Sequence, residues 1–152
     1  MFLLERPGAL GLGIDRSEAA LAIAAQNARA LALDHRAEFR NSDWLSGVSG
    51  RFDIVFANPP YVATQELSNL APDVRHEPVQ ALDGGTDGMA AYREIVSGLH
   101  NLLSSGAMVF LEIGQGQADS VHAIFRAAGF TVTATVCDLA AIPRCVVLRF
   151  DE

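Results

Sequence analysis

The chain has 152 residues, of which half are hydrophobic and 19% are charged. This composition suits one folded domain with a sizeable core and argues against disorder. The formal net charge is -7 at pH 7, and the 11 Lys and Arg residues are scattered singly from Arg6 to Arg149. Because a protein that grips a nucleic-acid backbone usually carries a basic stripe, the charge pattern disfavours a nucleic-acid partner.

The sequence shows no membrane or export signal. It has no apolar run of roughly 18 residues, the length needed to span a membrane. The apolar residues 1–4 are followed at once by Glu5 and Arg6, and four residues are too few for a signal-peptide core. The expected compartment is therefore cytoplasmic, with no contact with a membrane.

The cysteines and histidines give no sign of a disulfide or a metal centre. Cys137 and Cys145 could face each other across a hairpin, but reduced thiols packed in or near the core are expected without an export signal. No metal site is expected, because none of the four histidines has metal-ligand spacing: His35, His76, His100 and His122.

Short β-rich runs alternate with helical stretches, which predicts an α/β sheet covered on both faces. Residues 9–15 form the first short strand. Ser17 then has the position of an N-cap, for a helix that runs to about Leu33. A brief strand at residues 37–40 is followed by a buried strand at residues 52–57. That strand ends because paired prolines cannot continue a hydrogen-bonded ladder.

The second half of the chain continues the alternation. Residues 62 to about 87 form a long polar loop, of a length that is usually functional or mobile. A helix over residues 87–103 is stopped by residues 104–106, and the most hydrophobic strand follows at residues 107–113. A helix over residues 117–128 ends at Gly129 in the C′ position. The last two strands, 131–136 and 145–150, are joined by a short connection and should be antiparallel.

The strongest local motif is Asn58-Pro59-Pro60-Tyr61, at the carboxyl end of the strand at residues 52–57. Ligands in open α/β sheets bind in the crevice outside such strand ends. The prolines direct a backbone carbonyl into the crevice, and the Asn58 side-chain oxygen is a second acceptor. Two acceptors that converge on one planar NH₂ group hold both its hydrogens, while Tyr61 offers a flat face beneath it. The alternative is a simple proline turn that ends a strand.

Two acidic residues follow the first two strands. Asp15 ends a strand just before a helix, where a carboxylate can accept both hydroxyls of a ribose. The alternative is an acid favoured by the helix dipole. Asp43 could accept from an adenine amino group with Trp44 packed nearby, or it could lie in a surface turn beside a core tryptophan. Residues 114–117 could line a pocket, although a strand-to-helix turn explains them adequately.

Together these motifs resemble the protein glutamine N5-methyltransferases of peptide-chain release factors, a class I S-adenosylmethionine-dependent family. The resemblance runs from about Leu4 to Phe150. The tetrapeptide 58–61 is shared with DNA and RNA amino-methyltransferases, whereas the stretch at residues 76–88 is much more specific. The motifs that carry the resemblance are Gly13-Ile14-Asp15-Arg16-Ser17, Asn58-Pro59-Pro60-Tyr61, His76-Glu77-Pro78 through Gly84-Gly85-Thr86-Asp87-Gly88, Leu111-Glu112-Ile113-Gly114, and Asp138-Leu139-Ala140 with Pro143-Arg144.

The resemblance implies a role for each residue singled out above. Asp15 is placed at the ribose of S-adenosylmethionine, with Asp43 and Trp44 at the adenine. Asn58 and the Pro59 carbonyl are placed at the substrate amide, with Asn58 also lining the cofactor side, and Tyr61 helps to seat the amide. The implied substrate is the glutamine of the Gly-Gly-Gln loop of class 1 release factors. The implied reaction is a direct in-line displacement, without a metal or a covalent intermediate.

The resemblance also implies parts that this sequence lacks. The family fold is a Rossmann-like sheet of order 3-2-1-4-5-7-6, whose first strand leads into a glycine-rich loop around the methionine part of the cofactor. Residues 1–9 match only the end of the helix after that loop, and Gly8, Gly11 and Gly13 do not have its spacing. Residues 1–152 are therefore interpreted as a single truncated catalytic domain without the first strand, the loop or the family's amino-terminal helical domain.

Three explanations stay open for the gap: a mis-started reading frame, a proteolysed fragment, or a degenerate paralogue. Two other functions are also considered. One is a nucleic-acid N6-adenine methyltransferase, since the amino group of adenine is also planar. The other is an inactive remnant that acts as an interaction module and associates with itself, because unpaired strand edges invite pairing.

Overall fold

Residues 1–72 and 74–151 are described by the computed structural model of the chain. The chain divides into two compact units, Met1–Val48 and Ser49–Glu152. The single-domain organisation of residues 1–152 stays a prediction. Among the described residues, no helix is long and apolar enough to cross a membrane.

The first unit is a two-stranded parallel sheet with helices. Strands β1 and β2 pair in register from Gly11↔Ala37 to Asp15↔Asn41. The unit contains α1 (Phe2–Glu5), β1 (Gly11–Asp15), α2 (Glu18–Ala30) and β2 (Ala37–Asn41).

The N-cap of α2 is confirmed, because the Ser17 hydroxyl accepts the N–H of Ala20 at 3.2 Å. The helix ends earlier than predicted, at Ala30 rather than about Leu33. Ala32 takes the left-handed conformation, with φ of 54°, and the N–H of Leu33 turns back to the carbonyl of Ala28. The apolar residues 31–33 therefore belong to the cap of the helix rather than to its last turn.

The second unit is a four-stranded mixed sheet, in the order β3-β4-β6-β5. Strands β3 and β4 are parallel, and β6 is antiparallel to both β4 and β5. The antiparallel pairing predicted for the last two strands is confirmed. The elements are β3 (Phe52–Ala57), α3 (Val79–Leu82), α4 (Ala90–Leu99), β4 (Leu103–Glu112), α5 (Ala118–Ala127), β5 (Phe130–Cys137) and β6 (Pro143–Phe150), with 3₁₀ turns at Thr64–Asn69, Val74–His76 and His100–Leu102.

The strand orders agree with the predicted fold. The order β2-β1 corresponds to strands 3-2 of the expected sheet, and β3-β4-β6-β5 corresponds to strands 4-5-7-6. Strand 1 of the expected order has no counterpart among the described residues. The Rossmann-like α/β architecture with an antiparallel last pair is therefore confirmed, while the predicted association through an incomplete sheet stays a prediction.

The core of the second unit lies on the helix-facing side of the sheet. Tyr92 of α4 and Phe125 of α5 are fully buried together with Leu111 of β4 and Leu148 of β6. Helix α5 ends as predicted, with Ala128 as C-cap and Gly129 at φ of 87°. This side of the sheet holds the carboxyl ends of β3 and β4 in place.

Three predictions about this unit are wrong. Strand β3 is not buried, and the sheet is not covered on both faces there: Phe56 is 59% exposed, because β3 is an edge strand and Phe56 faces away from the helices. Residues 104–106 do not stop a helix. They lie inside β4, where the pairing shifts from Phe52↔Leu103 to Ile54↔Met108. Cys137 is exposed rather than packed near the core, although both cysteines are free thiols as expected.

Candidate functional site

An open cleft lies at the carboxyl end of β3. Its volume is about 660 Å³, and its lining residues are Phe56, Ala57, Asn58, Phe110, Glu112, Arg144 and Cys145. Asn58 is exposed to this cleft, and the following Pro59 is buried. Over the described part of the chain, no hydrogen bond engages the Asn58 side chain, so its amide oxygen can accept from a ligand.

The floor of the cleft is aromatic and its rim is charged. The rings of Phe56 and Phe110 stack with centroids 5.1 Å apart. Glu112 ends β4, and Arg144 near the start of β6 donates from Nε to Asp138 at 3.1 Å. A flat, polar group can therefore lie on an apolar surface and meet hydrogen-bonding groups at its edge.

Tyr61 leaves the tetrapeptide towards the same strand end. Its hydroxyl donates to Glu112 Oε1 at 3.4 Å. Burial raises the pKa of Tyr61 above its usual value, and the negative charge of Glu112 adds to the rise. The phenol is therefore a neutral hydrogen-bond donor at physiological pH rather than a base.

The loop at residues 62–88 is tied to the tetrapeptide through the backbone. Val62 donates its N–H to the Leu82 carbonyl at 2.9 Å, and Gly84 donates to the Val62 carbonyl at 2.8 Å. A Cβ on Gly84 would lie 2.9 Å from the Cα of Tyr61, so only glycine allows this close approach. The motif at residues 76–88 therefore supports the residues that follow Pro60.

Asp83 and Asp87 order the turns around this contact. Asp83 Oδ1 accepts from the Thr64 hydroxyl at 2.8 Å and from the N–H of Gly85 at 2.9 Å. Asp87 accepts from the N–H of Met89 and from Arg93. Asp83 and Asp87 thus bind groups within or near the loop itself, and neither is among the residues that line the cleft.

In the first unit, Asp15 lies at the carboxyl end of β1 and is exposed. Its Oδ1 accepts the N–H of Ser17 at 2.7 Å, which fixes the carboxylate and leaves Oδ2 as an acceptor. The backbone carbonyl of Asp15 accepts the N–H of Ser42, at 3.1 Å. The ends of β1 and β2 are therefore held side by side.

Asp43 and Trp44 form the turn after β2. Trp44 is half-buried with φ of 52°, a left-handed conformation that is unusual for a bulky residue. The buried Ser42 hydroxyl lies 2.8 Å from the carbonyls of both Trp44 and Ser46, which supports that conformation. Asp43 is exposed, so its carboxylate can accept from a ligand.

Residues 2–88 match the family model of the methyltransferase small domain. The chain belongs to this family. It is similar to proteins named release factor glutamine methyltransferase from Caulobacter vibrioides, with 49% identity over 95% of the chain, and from Cereibacter sphaeroides, with 45% identity over 97%. The matched parts are 50% and 53% of those proteins, so the chain spans about half of their length.

A solved structure supports the fold of this methyltransferase domain. A methyltransferase from Pyrococcus furiosus superposes with a TM-score of 0.75, over 99% of this chain and 68% of its own. Its sequence is 14% identical, so the likeness concerns the fold alone.

The residues of the domain fit half of the cofactor that the family implies. Asp15 has a free acceptor at a strand end, and Asp43 with Trp44 offers an acceptor beside an indole ring, which suits a ribose and an adenine. The glycine-rich loop expected for the methionine half has no match in the sequence.

Sequence reasoning singled out Asn58, which lines the cleft, and Pro59 and Tyr61, which follow it but are not among the lining residues. It missed other residues at or near the cleft. Glu112 and Arg144 were noted only within motifs, yet both line the cleft. Gln117 was interpreted as part of a turn, but its side chain donates to the Tyr61 carbonyl at 2.7 Å. The position of Glu112 at the end of a parallel strand could have identified it, because such ends form the binding edge of the sheet.

Proposed function

We propose that this chain is the catalytic part of a protein glutamine N5-methyltransferase that uses S-adenosylmethionine and acts on a class 1 peptide-chain release factor. The observation that carries the proposal is the exposure of Asn58 to the cleft at the end of β3, directly before a buried proline. The names of the similar proteins support the choice of substrate.

The tetrapeptide at residues 58–61 binds and orients the glutamine amide. The Asn58 side-chain oxygen and the Pro59 carbonyl accept the two hydrogens of the NH₂ group. These bonds hold the nitrogen in one orientation, which accounts for much of the catalysis in a reaction that needs no covalent intermediate. The nitrogen would gain the methyl group and lose one of its two protons to water in the open cleft, while the sulfonium would become a neutral thioether. Tyr61 stays protonated and packs beside the amide.

Asp15, Asp43 and Trp44 would hold the adenosine part of S-adenosylmethionine. When bound, this cofactor supplies an electrophilic methyl group on a sulfonium. Asp15 would accept hydrogen bonds from the ribose hydroxyls with its free oxygen, and Asp43, next to Trp44 in the sequence, would accept from the adenine amino group.

The charge favours a protein substrate over the alternative of nucleic-acid N6-adenine methylation. A net charge of -7 repels a phosphate backbone, whereas it does not hinder binding of a protein loop. The same planar NH₂ chemistry would serve both substrates, so an assay has to separate them.

The proposal is tested with labelled S-adenosylmethionine and equal amounts of release factor, DNA and RNA. We expect label on the release factor, at a glutamine. The variant Asn58→Ala should transfer about 10²–10³ times more slowly, because it loses an acceptor for the reacting group. Gln65→Ala, an exposed change in the Thr64–Asn69 turn, is the matched control and should keep its rate. Label on DNA or RNA alone, or none on any substrate, would contradict the proposal.

A further inference from the structure

We propose that Gln117 is a positioning residue that fixes the amide-binding tetrapeptide at residues 58–61 through the Tyr61 carbonyl. Its Nε2 donates to that carbonyl at 2.7 Å. Its Oε1 accepts the N–H of Gly114 at 2.9 Å. One side chain at the start of α5 thus joins the tetrapeptide to the end of β4.

The orientation of the Gln117 amide follows from its partners. The Tyr61 carbonyl can only accept, and the Gly114 N–H can only donate, so the reversed amide would face oxygen with oxygen. The Tyr92 hydroxyl lies 3.4 Å from Gln117 Oε1 and 2.9 Å from the Glu112 carbonyl. Its single hydrogen goes to the nearer acceptor, so Gln117 depends mainly on its two backbone partners.

Glycines leave the room that these contacts need. A Cβ on Gly88 would lie 2.6 Å from the Tyr61 oxygen and 2.7 Å from Gln117 Nε2. A Cβ on Gly114 would lie 2.8 Å from Gln117 Oε1. All three distances are below 3.0 Å, which Cβ atoms in proteins essentially never show. The side chain of Gln117 is therefore enclosed by backbone at both of its polar atoms.

Because the tetrapeptide is rigid, the hydrogen bond from Gln117 to Tyr61 also restrains the groups proposed to bind the amide. Pro59 and Pro60 have fixed φ angles, so restraint of the Tyr61 carbonyl also restrains the Pro59 carbonyl and Asn58. The consequence for catalysis rests on the proposed function, in which those two groups hold the glutamine amide. The restraint itself is independent of that function.

The variant Gln117→Glu tests the donor alone. It keeps the oxygen that accepts from Gly114 and replaces the NH₂ donor with a second oxygen. When ionised, this oxygen repels the Tyr61 carbonyl; when protonated, it donates to that carbonyl as the amide does. The pKa of the new carboxyl should be raised, because its neutral form gains the hydrogen bond.

Charged and titratable groups around this position come from several elements. Glu112 on β4 raises the pKa of the new carboxyl further, as a like charge does. Tyr61 and the buried Tyr92 on α4 are neutral, since burial raises the pKa of both phenols. Glu77 in the loop and Asp119 on α5 also disfavour ionisation, whereas Arg144 on β6 and the amino end of α5, whose N-cap is residue 117, act in the opposite direction. The hydrogen bond from residue 117 to the Tyr61 carbonyl should therefore form again in Gln117→Glu as the pH falls.

The measurement is hydrogen exchange of the Val62 and Gly84 amides, which hold the end of the tetrapeptide. At about pH 7.5, these two amides should exchange about tenfold faster in Gln117→Glu than in the unaltered chain at the same pH. At about pH 5.5 the difference should fall below about threefold. Gln117→Ala should stay fast at both pH values. The control Gln115→Glu makes the same charge change at an exposed position in the same turn and should match the unaltered chain.

Three outcomes would overturn the proposal. The first is unchanged exchange in Gln117→Glu at both pH values. The second is faster exchange that does not depend on pH. The third is an equal increase at Leu111 and Val146, which pair in the sheet core, since that would show general destabilisation.

A kinetic measurement connects the support with catalysis. In Gln117→Glu, kcat for release factor should recover as the pH falls, while KM for S-adenosylmethionine stays unchanged. If the unaltered chain does not methylate release factor but the exchange results hold, the proposed function fails and the positioning role stands. If release factor is methylated but the exchange rates do not change in the Gln117 variants, the positioning role fails and the proposed function stands.

Discussion

The two groups of site residues are held in different ways. In the first unit, Asp15 and Asp43 lie at neighbouring strand ends and are held by local bonds: Ser17 donates to the Asp15 carboxylate, and Ser46 donates to the Asp43 backbone carbonyl. In the second unit, the tetrapeptide at residues 58–61 is held by residues far along the chain, including Gly84 and Gln117. Under the proposed function, local bonds suffice for exposed acceptors that would bind a ribose and an adenine. A group that would hold one nitrogen in one orientation needs support from several elements.

The largest expected effect concerns the support of the tetrapeptide. Gly88→Ala places a Cβ 2.6 Å from the Tyr61 oxygen at a φ of 70°. We expect a loss of roughly 2–4 kcal/mol in the free energy of unfolding, from strain and overpacking together. Gly129→Ala is the matched control: its φ is 87° and its Cβ meets nothing within 4 Å, so strain alone should cost about 1 kcal/mol. Urea denaturation measures both, and equal losses would show that the close contact between residue 88 and Tyr61 adds nothing to the backbone strain.

A smaller effect is expected at the strand end of the first unit. Asp15→Asn keeps an oxygen for the N–H of Ser17 but replaces the free acceptor with an NH₂ group. Affinity for S-adenosylmethionine should fall about tenfold, the usual effect of losing a hydrogen bond to a charged group. Calorimetry measures the affinity, with Asp34→Asn as a control of equal charge change at an exposed position. An unchanged affinity in Asp15→Asn would separate this residue from the cofactor.

The smallest effect is expected at Asp87, which pairs with Arg93 at the surface of the second unit. Arg93 and the N–H of Met89 lower the pKa of Asp87 from 3.8 to about 2, with Arg93 the larger cause. Since the folded pKa is depressed, the pair stabilises the fold above about pH 3.8 and loses this contribution as the pH falls to about 2. Arg93→Ala should raise the pKa of Asp87 towards 3.8, without reaching it because Met89 still donates. An NMR titration of the carboxyl carbon checks this, with the exposed Arg126→Ala as control.

The fold was largely predictable because its signals are local. Ser17 as an N-cap, Gly129 at the C′ position and the prolines after β3 each act on adjacent backbone. The exposure of Phe56 was not predictable from the sequence around it. A hydrophobic run has the same composition whether its strand is central or at an edge. Only the pairing of strands in space determines whether its side chains are covered.

The candidate site was predictable only in part. Asn58 directly follows β3 and Asp15 is the last residue of β1, positions where the sequence marks the ends of the strands. Gln117 lies 56 residues after Tyr61, and no local pattern shows that these two meet. The shift in pairing between β3 and β4 could not be predicted either. Residues 104–106 have the composition of a turn, although they lie within a strand.

The bridge between Val62 and Asp83 closes the intervening stretch of chain into a loop whose two ends are neighbours. Extra residues inserted between Asn69 and Pro72 would lengthen the loop without moving its anchors. Doubling the length of such a loop costs only about 0.6 kcal/mol in closure entropy. This stretch is therefore a natural place to insert an affinity tag or a fluorescent reporter while the cleft keeps its geometry.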